Sequence, residues 1–338
     1  MKAEGLVPVP PESAFKKIIA RRQFLITALA IVIVGSVVFV LHERPHSRIQ
    51  IKAQKDKFKA EFVLTGPDRA KAEKFLEKLA LPKSVLQDQE FELDGTSAAR
   101  LAFASPVILD VNLTGRGITF SGESHIPLAE ANLALQPAFK LPASTNLVIF
   151  SHDFRQIFKK HFVAQQLNVW IDQNLSSQGG QYLTLFTPDA NFALSFKAQK
   201  PLDTAALEQI AMGVGQDAYK EESVDDTVIH LIKVSEKEET TLAIFELDDW
   251  LHVTTSLESA KQLLAVQQGN APFINLPKTN KNVSFAIYFK KGESINADSF
   301  SPITPNSPKV AKYLENIKEA LIMLDREKIS GYIDFDLQ

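Results

Sequence analysis

The sequence predicts an α+β fold with mainly antiparallel sheets, carried behind a single N-terminal transmembrane helix. Three observations predict it. Residues 24–41 read FLITALAIVIVGSVVFVL, an 18-residue apolar run without a charge. Strand-like alternation recurs in short neighbouring pairs, as at residues 107–113 and 118–120 around Thr114-Gly115-Arg116-Gly117, which is hairpin chemistry. Apolar residues at helical spacing stand between such pairs. Hairpins mingled with helices favour layered α+β architecture over a doubly wound parallel sheet.

The apolar run comes first. A helix of its length, rising 1.5 Å per residue, nearly spans the ~30 Å hydrocarbon core of a bilayer. Thr27 and Ser36 are its only polar residues. A cleavable signal peptide has a shorter apolar stretch and a small-x-small cleavage site, whereas His42-Glu43-Arg44-Pro45 follows here. A buried core helix would carry a polar stripe or caps. The favoured reading is an uncleaved anchor. Lys16, Lys17, Arg21 and Arg22 precede it, and Arg44, Arg48, Lys52, Lys55, Lys57 and Lys59 follow it. Nearest the membrane the positive-inside rule favours a cytoplasmic tail, and large C-terminal domains translocate largely regardless of charge. The expected location is the bacterial inner membrane, single-pass, with the bulk of the chain periplasmic or otherwise extracytoplasmic. The expected organisation is a cytoplasmic tail (1–22), a transmembrane helix (23–42), a solvated basic stalk (43–57), a small α+β domain (58–140) and a larger one (141–338).

Within the first unit, Phe58, Ala60, Phe62 and Leu64 alternate with Lys59, Glu61 and Val63. Thr65-Gly66-Pro67-Asp68 then opens a helix: Thr65 or Gly66 caps, Pro67 suits the first helical position, and Asp68 complements the positive helix end. Ala72, Phe75, Leu76 and Leu79 form its inner face, and Pro82 stops it. A linker is expected over 136–145, with Pro137 and Pro142. Residues 146–150 read as a strand and 153–174 as a helix, ended by Ser176-Ser177-Gln178-Gly179-Gly180.

The remainder repeats one theme. Residues 182–186 and 192–196 form a hairpin across Thr187-Pro188-Asp189, followed by a helix over 203–214. Strands follow at 228–234, 242–247 and 251–255. Ser256 then caps a helix with Ala260, Leu263 and Leu264 inward. After a strand at 283–289, Val310, Leu314, Ile317, Leu321 and Leu324 are spaced by three and four, which predicts the longest helix over 309–326. Residues 329–337 close the chain as a strand. Three stretches, 62–79, 192–214 and 251–266, share a strand–cap–helix grammar. One reading is a duplicated ferredoxin-like unit; the other is ordinary reuse of this grammar.

Residues 242–267 carry a strand pair and a capping turn in which Val253, Thr255, Ser256, Glu258 and Ala260 stand at the positions of a Val-x-Ser-Ser-x-Glu-x-Ala turn. Leu141-Pro142-Ala143-Ser144-Thr145 opens this part of the chain. On these residues, 141–338 resembles a family of bacterial membrane-anchored extracytoplasmic domains of unassigned function. The resemblance implies a tethered extracytoplasmic module and no activity.

Composition bounds the chemistry. The net charge of −3 gives no footprint for nucleic acid. The absence of cysteine excludes disulfides, thiol catalysis, thiolate zinc sites and a lipoprotein anchor. Ser151-His152-Asp153 spells a triad only in letters, because consecutive residues cannot adopt triad geometry; Ser151 or Asp153 is read as a helix N-cap. Asp334 and Asp336, with Tyr332 before them, lie two apart on one strand face and could share a hard cation, against the favoured reading of a solvated face. Asp225-Asp226 and Asp248-Asp249 read as turns, and Trp250 as a packing residue at a hairpin end. His230 and His252 read as strand-surface residues. No histidine pair has zinc-helix spacing, and Gly213-Val214-Gly215 lacks a phosphate-loop pattern. Asn112, Asn174 and Asn282 head chance-level glycosylation tripeptides.

No residue is therefore assigned a catalytic, cofactor-binding or metal-binding role, and no cofactor is expected. The expectation is a non-enzymatic binding or scaffolding module in an envelope assembly. Its partners would be membrane lipid through residues 23–42 and other envelope proteins, with homo-oligomerisation left open. The alternatives are an envelope hydrolase or metal-dependent enzyme built on Asp334 and Asp336, and a lipid or cell-wall ligand binder with a cleft between the two units.

Overall fold

The computed structural model describes residues 47–54, 57–78, 89–92, 107–123, 135, 137, 139–151, 165–174, 180–186, 191–233, 241–279, 283–291, 316–325 and 328–336. The apolar run at 24–41 lies outside them; among the described residues no helix is long and apolar enough to cross a membrane.

The α+β class with antiparallel pairing stands. Alternating apolar residues and tight turns generate β1 (Arg48–Gln54), β2 (Lys57–Val63), β3 (Gln89–Glu92), β4 (Val107–Leu113), β5 (Gly117–Glu123), β6 (Leu141–Pro142), β7 (Thr145–Ser151), β8 (Gln181–Phe186) and β9 (Asn191–Lys197). They continue as β10 (Tyr219–Val224), β11 (Thr227–Lys233), β12 (Thr241–Leu247), β13 (Trp250–Thr254), β14 (Phe273–Ile274), β15 (Phe285–Lys290), β16 (Ile317–Leu324) and β17 (Lys328–Phe335). The helices are α1 (Gly66–Lys78), α2 (Gln165–Asn174), α3 (Thr204–Met212) and α4 (Leu257–Gln267). Fifteen strands join one antiparallel sheet in the order β10-β11-β12-β13-β9-β8-β7-β15-β16-β17-β5-β4-β1-β2-β3, and β14 pairs with β6 apart from it.

The two expected units thus share one sheet, joined where β17 pairs with β5 from Lys328↔Glu123 to Asp334↔Gly117. The expected stalk is corrected here. Residues 48–54 are β1, an interior strand between β2 and β4; its basic residues masked an alternation of Ile49, Ile51 and Ala53. The expected helix at 309–326 is also corrected over its described part. Residues 317–324 form β16, between β15 and β17. Its burial shows why: Ala320, Leu321 and Ile322 are all buried, as in a strand covered on both faces, and a short apolar run cannot be told from a helix by periodicity alone. The expected linker is no spacer either. Leu135, Phe139 and Leu141 enter the core, and the Gln267 side chain accepts from the Lys140 amide at 2.8 Å and donates to its carbonyl at 2.6 Å.

The centre of the sheet is apolar on both sides. Every residue of β7 is buried, as are the first five of β15. One face carries Val148, Phe150, Tyr182, Trp250 and Tyr288 with Phe139 laid over them. On the same face α4 sets Ala260, Leu263 and Leu264 against Ala193, Ala243 and Phe245. The opposite face takes α3, because Leu202 just ahead of it donates to Glu246 at 3.0 Å, and Glu246 alternates with Phe245. The opposite face also takes α1, whose Phe75 meets Phe335 edge-on at 4.8 Å. Asp203 and Ser256 cap α3 and α4 by accepting from Ala206 N and Ser259 N. The strand–cap–helix grammar holds at 192–214 and 251–266; β2 leads into α1 through Thr65, whose hydroxyl donates to Asp68 at 2.9 Å. The connections are not those of a ferredoxin-like unit, however: β9-α3-β10 and β13-α4-β15 each step over three strands, and the two helices lie on opposite faces.

Candidate functional site

Three polar clusters stand out on the sheet among the described residues, and the first contains the carboxylates singled out by sequence. Tyr288, Leu321 and Tyr332 are cross-strand neighbours on β15, β16 and β17, and a bulge between Ile317 and Glu319 brings Glu319 opposite Asp334. Tyr332 donates to Glu319 Oε1 at 2.6 Å. Tyr288 bonds the same carboxylate. Burial, then the Glu319 carboxylate, pushes both phenols above their usual range, so both remain protonated donors. Asp336 sits past the strand end with Lys291 Nζ at 3.2 Å. The arrangement is a clamp of two phenols on one carboxylate. Among the described residues no group of three or more His, Asp or Glu is placed to hold a metal ion. The nearer described histidine, His252 on β13, stands six strands away, about 29 Å as measured along the sheet at ~4.8 Å per strand. The hydrolase reading built on Asp334 and Asp336 gains no geometric support. Sequence reasoning missed Tyr288 and Glu319 as partners because β16 was read as helix; the compact apolar run at 320–324 was the available signal.

The second cluster is Ser195 and His252, cross-strand partners on β9 and β13. Ser195 Oγ and His252 Nδ1 are 2.8 Å apart. The expectation of a surface histidine is corrected: His252 is 1% exposed, because β13 is covered on both faces. Its ring stacks on Phe245 at 4.8 Å and meets Phe139 edge-on at 5.1 Å. Nε2 is buried and has no hydrogen-bond partner among the described residues. A catalytic serine–histidine pair needs an orienting group on the second ring nitrogen and access for substrate, and the described residues supply neither. Burial lowers the imidazole to about 3, so it is neutral at physiological pH.

The third cluster lies at the sheet edge. Tyr219 OH is 2.6 Å from Glu221 Oε1 and 2.7 Å from His230 Nδ1. His230 is buried too, at 5% exposure, under the α3 side of β11. Burial, then Glu221, pushes the Tyr219 phenol upward. The cluster ties the edge strand β10 to β11.

The remaining sequence candidates resolve as structural residues. Asp248-Asp249 forms the two-residue β12–β13 turn with φ of 50° and 65°, and Asp225 opens the β10–β11 turn at φ 52°, the left-handed geometry hairpin turns demand. Trp250 is buried against Phe139 at 4.9 Å, as expected of a hairpin-end packing residue. Gly213 caps the end of α3. Ser151 is a buried β7 residue paired with Gln181 and Phe285; His152, Asp153 and the start of the expected helix at 153 lie outside the described residues. Asn174 spends its amide on the Trp170 carbonyl at 2.8 Å.

No family model matches the chain, and no curated protein matches it. A solved structure of TP0453, in its crystal form III, aligns at 13% identity over 56% of this chain and 74% of its own, with a TM-score of 0.36. A likeness at that score carries no argument about fold or function.

Proposed function

We propose that this chain is a single-pass membrane-anchored module whose extracytoplasmic sheet binds or scaffolds other envelope proteins. The observation that carries the reading is the junction between anchor and sheet. Residues 24–41 are long and apolar enough to span a bilayer, and seven residues later Arg48 begins a strand paired on both sides. Residues 48–54 of the expected spacer are strand, so a span at 24–41 would be joined to the sheet by a short segment. The Tyr332–Glu319 and Tyr219–Glu221–His230 clusters support the same reading, because their donors and acceptors serve one another across neighbouring strands. Two measurements test it. Alkaline washing of membranes should leave the chain in the pellet, and flotation should carry it with lipid. Native purification from gently solubilised membranes should recover a stoichiometric protein partner. Release of the intact chain by the wash would end the anchored reading; a chain that floats yet purifies alone at native abundance would end the scaffold reading.

A further inference from the structure

The sheet ends at β10, and among the described residues that strand pairs with β11 alone, without a shift in register. In an antiparallel ladder alternate residues spend both backbone groups on one neighbour. Just before β10, the Ala218 carbonyl accepts from Lys233 N–H at 2.9 Å, so Lys220, Glu222 and Val224 turn toward β11 in step with it. Tyr219, Glu221 and Ser223 direct their N–H and C=O groups outward. The strand holds no proline and no bulge, and Lys220, Glu221 and Ser223 are exposed.

This edge is held in strand form from both faces of the sheet. On one face Lys261 of α4 reaches Glu222 at 2.6 Å, and Gln268 just beyond α4 donates to Asp225 at 2.8 Å. On the other, Tyr219 links Glu221 to His230 of β11. An incoming strand would meet a template already ordered, which removes part of the cost of binding.

Charge determines what such a strand must carry. Residues 203–261, which supply α3, β10 to β13 and the start of α4, hold fourteen Asp and Glu against four Lys, a net of −10, while the rest of the chain carries +7 of the overall −3. Residues 217–226 alone hold Asp217, Glu221, Glu222, Asp225 and Asp226 against Lys220, and Lys261 neutralises only Glu222. A second copy is a poor occupant. The register that pairs the whole strand sets Glu221 against Glu221, offers Lys220 a Glu222 that Lys261 already holds, and brings two regions of net −10 together. The other edge strand, β3, reads QEFE and is acidic as well.

We propose that β10 is completed by an extended basic segment of another envelope protein, added as a further strand of the sheet. Backbone bonds to Tyr219, Glu221 and Ser223 supply the affinity, and Lys or Arg beside Glu221 and toward Asp217 and Asp226 supplies the selection. The inference rests on the scaffold reading above and deepens it, naming the surface and the chemistry of the partner.

The probe is a short synthetic peptide that alternates lysine with valine, offered to the full chain in detergent micelles. It should bind and slow hydrogen exchange at Tyr219, Glu221 and Ser223, leaving Lys220 and Glu222 as they were. A peptide N-methylated at every second residue keeps the charge but cannot form the ladder; it should bind roughly tenfold more weakly, as should a peptide with glutamate in place of lysine. Ser223→Pro removes an outward N–H without touching a bond to β11 and should likewise cost roughly tenfold. The double variant Asp217→Lys, Asp226→Lys lies outside the ladder, should cost roughly threefold, and covers the case of a proline variant that fails to fold. Equal binding of the methylated peptide would reduce the effect to charge attraction and overturn the proposal. Protection of the three outward amides that grows with chain concentration, without peptide, would make a second copy the occupant and overturn it too. In native purification Ser223→Pro should lose the stoichiometric partner. A partner retained by that variant leaves the scaffold reading standing and removes this one; an unaltered chain that purifies alone ends both.

Discussion

His252 is where a single side chain has the largest predicted consequence. The unfolded chain takes up a proton on this imidazole below its ordinary 6.5, and the folded chain only near 3. Acid therefore favours unfolding between those values, and the full contribution returns above 6.5. The slope is ~1.4 kcal/mol per pH unit, so urea midpoints should reveal ~3 kcal/mol lost between pH 6.5 and 4. The double variant Ser195→Ala, His252→Leu removes both members of the buried pair and should flatten that slope; an equal acid dependence in the variant would place the titration elsewhere. Asp68 acts in the same direction. Burial opposes its charge, but hydrogen bonds from Ser47, Lys71 and Thr65 outweigh burial and hold the carboxyl below its usual range. The turn aspartates make a second residue-scale case. Asp249 holds φ at 65°, where glycine is unstrained and a β-branched residue is not. Asp249→Gly should raise stability by about 0.5 kcal/mol, and Asp249→Val should lower it by 1–2 kcal/mol, both read from thermal midpoints.

At the scale of elements, the legible parts were those whose period matched their burial. β4 alternates buried and exposed residues over 107–110, and its turn was readable from Thr114, Gly115 and Gly117. The caps of α3 and α4 were readable because Asp203 and Ser256 precede an apolar helical stripe. β16 was illegible because a strand buried on both faces has no alternation, and its spacing also fits a helix stripe. β1 was illegible for the opposite reason, with Gln50 and Lys52 between its apolar residues and a long apolar run shortly before it. β10 carries Lys220, Glu221 and Glu222 on an edge, where charge blocks pairing with a like-charged strand. The candidate sites suffered accordingly: His230 and His252 looked exposed because neither helix cover was visible in the residues around them, and the Tyr288–Glu319–Tyr332 clamp needs the pairing of three strands. The strand assignment of β16 has its own test. Gly331 on β17 has no room for a side chain, since a Cβ would meet the Leu321 carbonyl oxygen at 2.0 Å and the Phe120 ring at 2.7 Å. Gly331→Val should cost more than ~3 kcal/mol through forced movement of β16, and a variant of unchanged midpoint would show that β16 and β17 do not pair.

For the whole molecule, the continuity of the sheet decides what can fold alone. The sequence places a boundary near residue 140, and the sheet crosses it. β5 on the N-terminal side takes β17, the last strand of the chain, as a neighbour over seven residue pairs. The segment around residue 140 also lies over the central cluster, through Phe139 and the Gln267 clamp. Cutting there would expose β5 on one piece and β17 on the other as long unpaired edges, each with an apolar face stripped of neighbours, the condition that drives strand aggregation. Residues 47–140 and 141–338 expressed separately should each be insoluble or unfolded, and should recover native-like exchange protection in β5 and β17 only when refolded together. In the intact chain those two strands should protect their amides with one shared opening free energy, because neither keeps its ladder once the other leaves. Two separately soluble, cooperatively unfolding pieces would show that the chain is two domains laid edge to edge, with the β17–β5 ladder only a docking contact.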